Sequence, residues 1–258
     1  MAHATNGGLR IYWDSKGSGS PVLLVMGAAY SSRMWYPVID ALAEQHRVIW
    51  FDNRGIGQSQ ATKTGTIQDM ASDGFAVLDA AGVDAAHIYG ASLGGVVVLQ
   101  MALQSPERVK SLVVGCSGIL NDDKPRAPKV ANLIARVPRG VLLALGKGSY
   151  GSAASPEAVA KDRAAIKADK ASATGLIQQQ NALRAYSVTN EAIAGITCPA
   201  LVLHGTEDKS VRPEWGAELA DTLPHAKLVT YEGAGHNYLV SYPAQANADV
   251  LAFLASVD

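Results

Sequence analysis

Short, unbroken apolar runs alternate with helix-compatible segments along most of this chain, and that alternation restricts the fold more than any other feature. The runs are PVLLVM at 21–26, RVIWFD at 47–52, HIYGAS at 87–92, VKSLVVG at 109–115, PALVLHG at 199–205 and AKLVTY at 226–231, with helical segments expected near 33–45, 67–82, 93–104, 213–222 and 243–257. A strand with one wet face alternates polar and apolar residues, whereas a continuous apolar run suits a parallel strand covered by helices on both sides. The expected class is α/β, a mostly parallel sheet with helices on both faces. At 258 residues and 48% hydrophobic content, the chain can bury one substantial core.

The dense repetition ends near Gly118, and the sheet pattern resumes at Pro199. Between them, residues 121–190 are alanine-rich and helical in pattern with no convincing strand, so the chain divides into a core of 1–120 and 191–258 and an inserted helical cap of 121–190.

Where the run at 86–91 meets the helical GVVVLQMALQ, the chain reads Gly90, Ala91, Ser92, Leu93, Gly94. A serine with glycine two positions away on each side, between strand and helix, has the spacing of a nucleophile elbow. Lifting the hydroxyl clear of the strand end needs a turn so sharp that side chains at 90 and 94 would collide with their neighbours. The helix that follows turns its first N–H groups, Leu93 among them, toward the place where an oxyanion would form. The bland alternative is a tight turn whose serine only caps the helix.

A serine hydroxyl is a weak nucleophile at neutral pH, so an elbow calls for a histidine base and a carboxylate to orient it. His236 stands in the glycine-rich EGAGHNY after the run at 226–231, whereas His3 lies in an N-terminal tail and His46, His87, His204 and His225 lie beside strands or in a turn. Asp208 follows PALVLHG in a loop before Pro213; Glu207 beside it, and Asp122 or Asp123 after the preceding strand, are the alternatives.

With these segments in order, the chain resembles the α/β-hydrolase superfamily, in particular small esterases, 3-oxoadipate enol-lactonases and cofactor-free haloperoxidases. The likeness covers a first strand pair near LRIYWDSKGSGSPVLLVMG, the turn FDNRGIGQS, the elbow YGASLGG, the acid loop HGTEDKSVRP and GAGH. It implies an eight-stranded sheet and the catalytic set Ser92, Asp208 and His236. It also implies a second oxyanion donor in the loop after the third strand, the N–H of Ala28, where Met26 replaces the usual histidine. The expected activity is hydrolysis of a small carboxylic ester or lactone through an acyl-enzyme at Ser92. Cleavage of a C–C bond in a vinylogous diketone, acyl transfer that excludes water, and a triad-retaining ligand receptor are the alternatives, with Tyr150, Tyr186 and Arg184 of the cap expected to decide substrate.

Other chemistry finds little support. Asp52–Ser59 contains glycines but no GxxxxGK[ST] and no following helix, so it reads as a tight turn pinned by Asp52 and Arg54. No dinucleotide fingerprint, HExxH or CxxC is present, and Cys116 and Cys198 stand alone, so neither cofactor nor metal is expected. Net charge of −1 argues against a nucleic-acid partner. MAHATNGGLR lacks a signal-peptide core and no run approaches a membrane span, so a cytoplasmic protein away from membranes is expected. Residues 121–190 hold eleven Lys or Arg and five Asp or Glu, a balance of +6 against −7 for the rest. A basic cap over an acidic body suits an anionic substrate; a solvated helical face pairing with the body is the other reading.

Overall fold

The structure is a computed structural model, and it describes residues 2–62, 64–124, 149–169 and 172–258. Eight strands form one sheet: β1 (Ala2–Asn6), β2 (Leu9–Lys16), β3 (Pro21–Val25), β4 (Arg47–Phe51), β5 (Ala86–Ala91), β6 (Val109–Gly115), β7 (Ala200–Gly205) and β8 (Ala226–Tyr231). Their order is β1-β2-β4-β3-β5-β6-β7-β8, parallel except where β2 pairs with β1 and β4. The segments around Lys16–Ser20 read as a strand pair, but β4 lies between β2 and β3 in the sheet.

Alternate residues of each central strand enter different cores. Leu23, Val25, Ile49, Ile88, Leu112 and Val202 meet α2 (Ile67–Ala80), α3 (Leu93–Gln104) and α7 (Pro213–Thr222) on one face. Val22, Leu24, Val48, Tyr89, Val113 and Leu201 meet Trp35, Leu42 and the last helix, α8 (Pro243–Ala255), on the other. Each such side chain contributes about 1.5–3 kcal/mol by leaving water. β8 departs from the continuous apolar reading of AKLVTY: it is an edge strand, with Lys227 and Leu228 exposed.

Two further expectations are corrected. AHATN, residues 2–6, is no tail but β1, paired with β2 through a turn in which Gly7 and Gly8 have φ of +55° and +81°. Paired positive φ values are what a two-residue hairpin needs, and Gly-Gly supplies them without strain. The helix expected near 33–45 is a 3₁₀ turn, Ser32–Trp35, followed by the four-residue α1 (Ile39–Leu42). Pro37 lies between them and has no N–H to continue a helical ladder.

Between β6 and β7 the described residues form α4 (Pro156–Ala168), α5 (Ala173–Ala185) and α6 (Asn190–Ala194). Residues 125–148 of the expected cap, with Arg126, Arg136 and Arg139, lie outside the described residues. Contacts with the body are close and polar. A Cβ on Gly175 of α5 would strike the carbonyl of Gly55, which itself has φ of +78°. Asp169 accepts from Ser31 N–H at 2.9 Å and Ser31 Oγ at 2.5 Å. Lys124 meets Glu218 at 2.6 Å, so at least this basic residue of the insertion faces a carboxylate of the body.

The turn after β4 is pinned as its residue types suggest. Asp52 accepts from Ser32 N–H and Gln58 N–H, both at 2.8 Å. Arg54 grips Asp73 of α2 through Nε at 2.6 Å and Nη2 at 2.8 Å, and Asp73 also accepts from Asn6 of β1 at 2.8 Å. Removing one partner of such a buried pair strands the other charge. Arg54→Met and Asp73→Ala are each expected to lower unfolding free energy by about 3–5 kcal/mol in urea titrations, with the double variant falling short of their sum.

Candidate functional site

β5 ends at Ala91 and α3 begins at Leu93, leaving one residue for the change of direction. Ser92 therefore adopts φ +55° and ψ −118°, a region that few side-chain-bearing residues occupy. Crowding explains the flanking glycines. A Cβ on Gly90 would overlap the carbonyl of Gly94, and one on Gly94 would overlap the carbonyl of Val25 at the end of β3. Ser92 N–H is held by Gly115 O at 2.8 Å, which ties the turn to β6.

The parallel strands β7 and β8 end at the same edge of the sheet as β5, and the loops after them supply the other two groups. Asp208 follows β7, and its buried carboxylate accepts on Oδ1 from Ser210 N–H at 2.8 Å and Val211 N–H at 3.0 Å. Its Oδ2 lies 2.7 Å from His236 Nδ1, while His236 Nε2 lies 3.0 Å from Ser92 Oγ. Because an ionised carboxylate only accepts, Nδ1 carries the proton, and Nε2 is left to accept from the serine hydroxyl. Ser92, Asp208 and His236 are thus brought into one connected line from three strand ends.

The electrostatics follow from that line. Burial alone would raise the Asp208 pKa, but hydrogen bonds from His204 and His236 outweigh it and hold the carboxyl well below its ordinary range. Burial would lower the His236 pKa, yet the adjoining Cys116 and Asp208 side chains push it well above the ordinary 6.5, Asp208 as the carboxylate on Nδ1.

The alternative acids are placed elsewhere. Glu207 is exposed and accepts from Ser152 N–H at 2.8 Å and Ser152 Oγ at 2.7 Å. Asp122 and Asp123 are exposed in the turn that follows Asn121.

The loop after β3 passes beside the elbow. A Cβ on Gly27 would lie 3.2 Å from both Ser92 Cβ and Ala91 O, and half-buried Ala28 follows it. Met26 O is held by Asn53 Nδ2 at 2.8 Å, and Ala29, with φ +69°, gives its N–H to Gln179 Oε1 at 2.9 Å. Leu93 occupies the first turn of α3, where N–H groups have no intrahelical acceptor. Of the cap residues expected to decide substrate, Tyr150 donates its hydroxyl to Asp162 and Tyr186 to Gln100, both at 3.0 Å, so each hydroxyl serves an internal bond.

The glycines before His236 have their own cause. Ser149 O accepts from Asn237 N–H at 2.7 Å and Tyr150 O from Gly235 N–H at 3.0 Å, and Gly151 bridges to Ala234. A Cβ on Gly235 would lie 2.6 Å from Ser149 O, so only glycine lets the insertion cross here.

Several neighbours escape a reading by motif. His204 Nε2 lies 3.3 Å from Asp208 Oδ2 and 3.0 Å from Val211 O, and both acceptors place its proton on Nε2. Cys116, directly after β6 with φ +41°, is buried beside His236. Asp162 of α4 accepts from Tyr36, Tyr150 and Asn237, at 3.1, 3.0 and 3.0 Å, joining α4 to the residue after His236. His204 and Asp208 are four residues apart, an interval that implies proximity in a helix but not across a strand end, so the contact between them has no sequence signal. The described residues contain no group of three or more His, Cys, Asp or Glu suited to a metal ion. No helix among them is long and apolar enough to cross a membrane.

Comparison with known proteins agrees with this architecture. A family model described as the alpha/beta hydrolase fold matches residues 20–241. A candidate carbamate hydrolase, RutD of Azorhizobium caulinodans, is 29% identical over 270 residues, covering 100% of both chains. Its namesake in Variovorax paradoxus is 35% identical over 254 residues, 93% of each chain. Among solved structures, Est816, described as an N-acyl homoserine lactone degrading enzyme, superposes with a TM-score of 0.82 at 28% identity, covering 98% of this chain and 100% of its own.

Gly94→Ala tests the crowding at the elbow. Its Cβ meets backbone rather than a movable side chain, and the variant is expected to lose about 1–3 kcal/mol in chemical denaturation.

Proposed function

Because the chain belongs to the alpha/beta hydrolase family, we propose that it is a serine hydrolase that cleaves a small carboxylic ester or lactone through an acyl-enzyme at Ser92. The observation that carries the reading is the 3.0 Å contact of Ser92 Oγ with His236 Nε2, continued at 2.7 Å from Nδ1 to the buried Asp208.

In this mechanism Ser92 Oγ attacks the substrate carbonyl carbon while its proton passes to His236 Nε2. Asp208 keeps the Nδ1 proton in place and stabilises the imidazolium. The N–H groups of Leu93 and Ala28 receive the charge that develops on the carbonyl oxygen, each donor lowering the barrier by about 3 kcal/mol. The tetrahedral intermediate collapses as His236 returns the proton to the leaving oxygen. Water, deprotonated by the same nitrogen, then attacks the acyl-enzyme, and the acid leaves as Ser92 regains its proton. The insertion serves here as a cap, a role supported by the contacts of Asp169, directly after α4, and of α5 with the loops around Ser31 and Gly55.

A second reading, hydrolysis of a carbamate by the same steps, is favoured by the likeness to RutD across nearly the whole chain. Substrate class is separated by comparing esters, lactones and carbamates, with a vinylogous diketone as the probe for C–C cleavage.

A fluorophosphonate is expected to add once, at Ser92, and Ser92→Ala to abolish both labelling and turnover of p-nitrophenyl esters; equal turnover in that variant overturns the proposal. Labelling with negligible steady-state turnover assigns a receptor instead. Asp208→Asn is expected to reduce turnover by about 10⁴-fold with the fold retained. His236 accepts a proton only when neutral, and its pKa is raised, so kcat/KM should climb with pH through an inflection above 6.5.

A further inference from the structure

Gln179 is completely buried in α5, and its two amide atoms have unlike surroundings. Oε1 accepts from the N–H of Ala29 at 2.9 Å. Nε2 is buried and has no hydrogen-bond partner among the described residues. The orientation is forced, since rotating the amide would set N–H against N–H. The donor must therefore point away from the loop that the oxygen holds.

Position makes the unpaired donor informative. Gly175, Gln179 and Ala182 recur at intervals of four and three, so they share one side of α5, and Tyr186 follows directly after its last residue. At one end Gly175 lies against Gly55; at the other Ala182 and Tyr186 join the apolar cluster that contains Leu93 and Val96 of α3. Gln179 lies between these anchors, on the loop whose Gly27 packs against Ser92. A buried donor without an acceptor is an expensive arrangement that native structures rarely keep. No described residue accepts from it, and the loop that its oxygen holds is the one beside Ser92, where a bound molecule can bring an acceptor.

We propose that Gln179 is a specificity-determining residue: Oε1 holds the Ala28–Ala29 loop in place, while Nε2 donates to an oxygen of the substrate outside the reacting carbonyl, of ether, carbonyl or carboxylate type. This rests on the hydrolase reading above and adds what the substrate carries. A substrate lacking that oxygen leaves the donor unpaired, which is the discrimination that hydrogen-bonding sites achieve and apolar pockets do not.

The test compares p-nitrophenyl butyrate with p-nitrophenyl methoxyacetate, where an ether oxygen replaces a methylene, and with the p-nitrophenyl half-ester of succinic acid. Gln179→Met, of similar length, removes both functions; Gln179→Glu keeps an oxygen for Ala29 N–H and removes the donor in its ionised form, so it is compared at the upper end of the enzyme's pH range. Relative to the butyrate, kcat/KM for an oxygen-bearing ester is expected to fall about tenfold or more in either variant, mainly through KM. An unchanged preference among the esters, or an equal loss on all three, overturns the proposal and leaves Gln179 a loop support alone.

The same comparison in a Ser92→Ala background, read as calorimetric binding of ethyl methoxyacetate against ethyl butyrate, separates this inference from its premise. Binding that weakens selectively on Gln179→Glu, in a protein whose native form hydrolyses nothing, sinks the hydrolase reading and keeps the donor. Binding that does not change sinks the donor.

Discussion

The tight crossing of backbones where β5 turns into α3 governs the rest of the site. Two glycines permit it: Gly90 lies under the carbonyl of Gly94, and Gly94 under the carbonyl of Val25. Because the strand and helix are separated by a single residue, Ser92 is driven to φ +55°, and its hydroxyl stands at the rim rather than inside the sheet. The unfavourable backbone geometry persists because strands on both sides over-determine it, β3 through close packing and β6 through the bond from Gly115 to Ser92. Every other group at the site is arranged around a point that this turn fixes.

Around that point the protein relies on buried polar side chains to hold loops that no sheet ladder reaches. Asp52 ties the turn after β4 to Ser32, Asn53 holds Met26, and Asp169 and Gln179 reach from the insertion to Ser31 and Ala29. The carbonyls and N–H groups of these loops are withdrawn from water, and each would be costly without a partner. The same logic on the far side places Asp162 among Tyr36, Tyr150 and Asn237, next to His236. Loop and insertion are therefore coupled by hydrogen bonds rather than by apolar area alone, and the neighbours of the nucleophile are set from outside the sheet.

The charge relations along Asp208, His236 and Ser92 show how burial and partnership oppose each other. A carboxylate withdrawn from water would ordinarily take up a proton, yet two backbone N–H groups and two imidazoles keep Asp208 ionised. The retained charge fixes the tautomer of His236 and raises its proton affinity. His204, which reaches both Val211 O and Asp208 Oδ2, makes the acid loop a second polar cluster rather than a lone side chain.

Much of this was legible in the primary structure. Unbroken apolar runs imply strands covered on both faces, because a polar residue in those positions would be buried without a partner, and the central strands alternate between two cores accordingly. Glycines at 90 and 94 announce a turn too tight for side chains, and the order of Ser92, Asp208 and His236 after three strand ends marks the candidate site. What lay beyond reach was anything set by contact between distant segments. Gly7-Gly8 made a hairpin that turned an apparent tail into β1, Pro37 divided an expected helix, and β4 inserted between β2 and β3. Cys116, Asp162 and Gln179 carry no local signal, since their roles come from partners far along the chain that only packing brings within reach, and His204 meets Asp208 and Val211 only because the loop after β7 folds back on it. Periodicity and turn chemistry act over a few neighbouring residues and are written in the chain; which loop faces which carboxylate depends on how layers stack, and only the tertiary structure decides that.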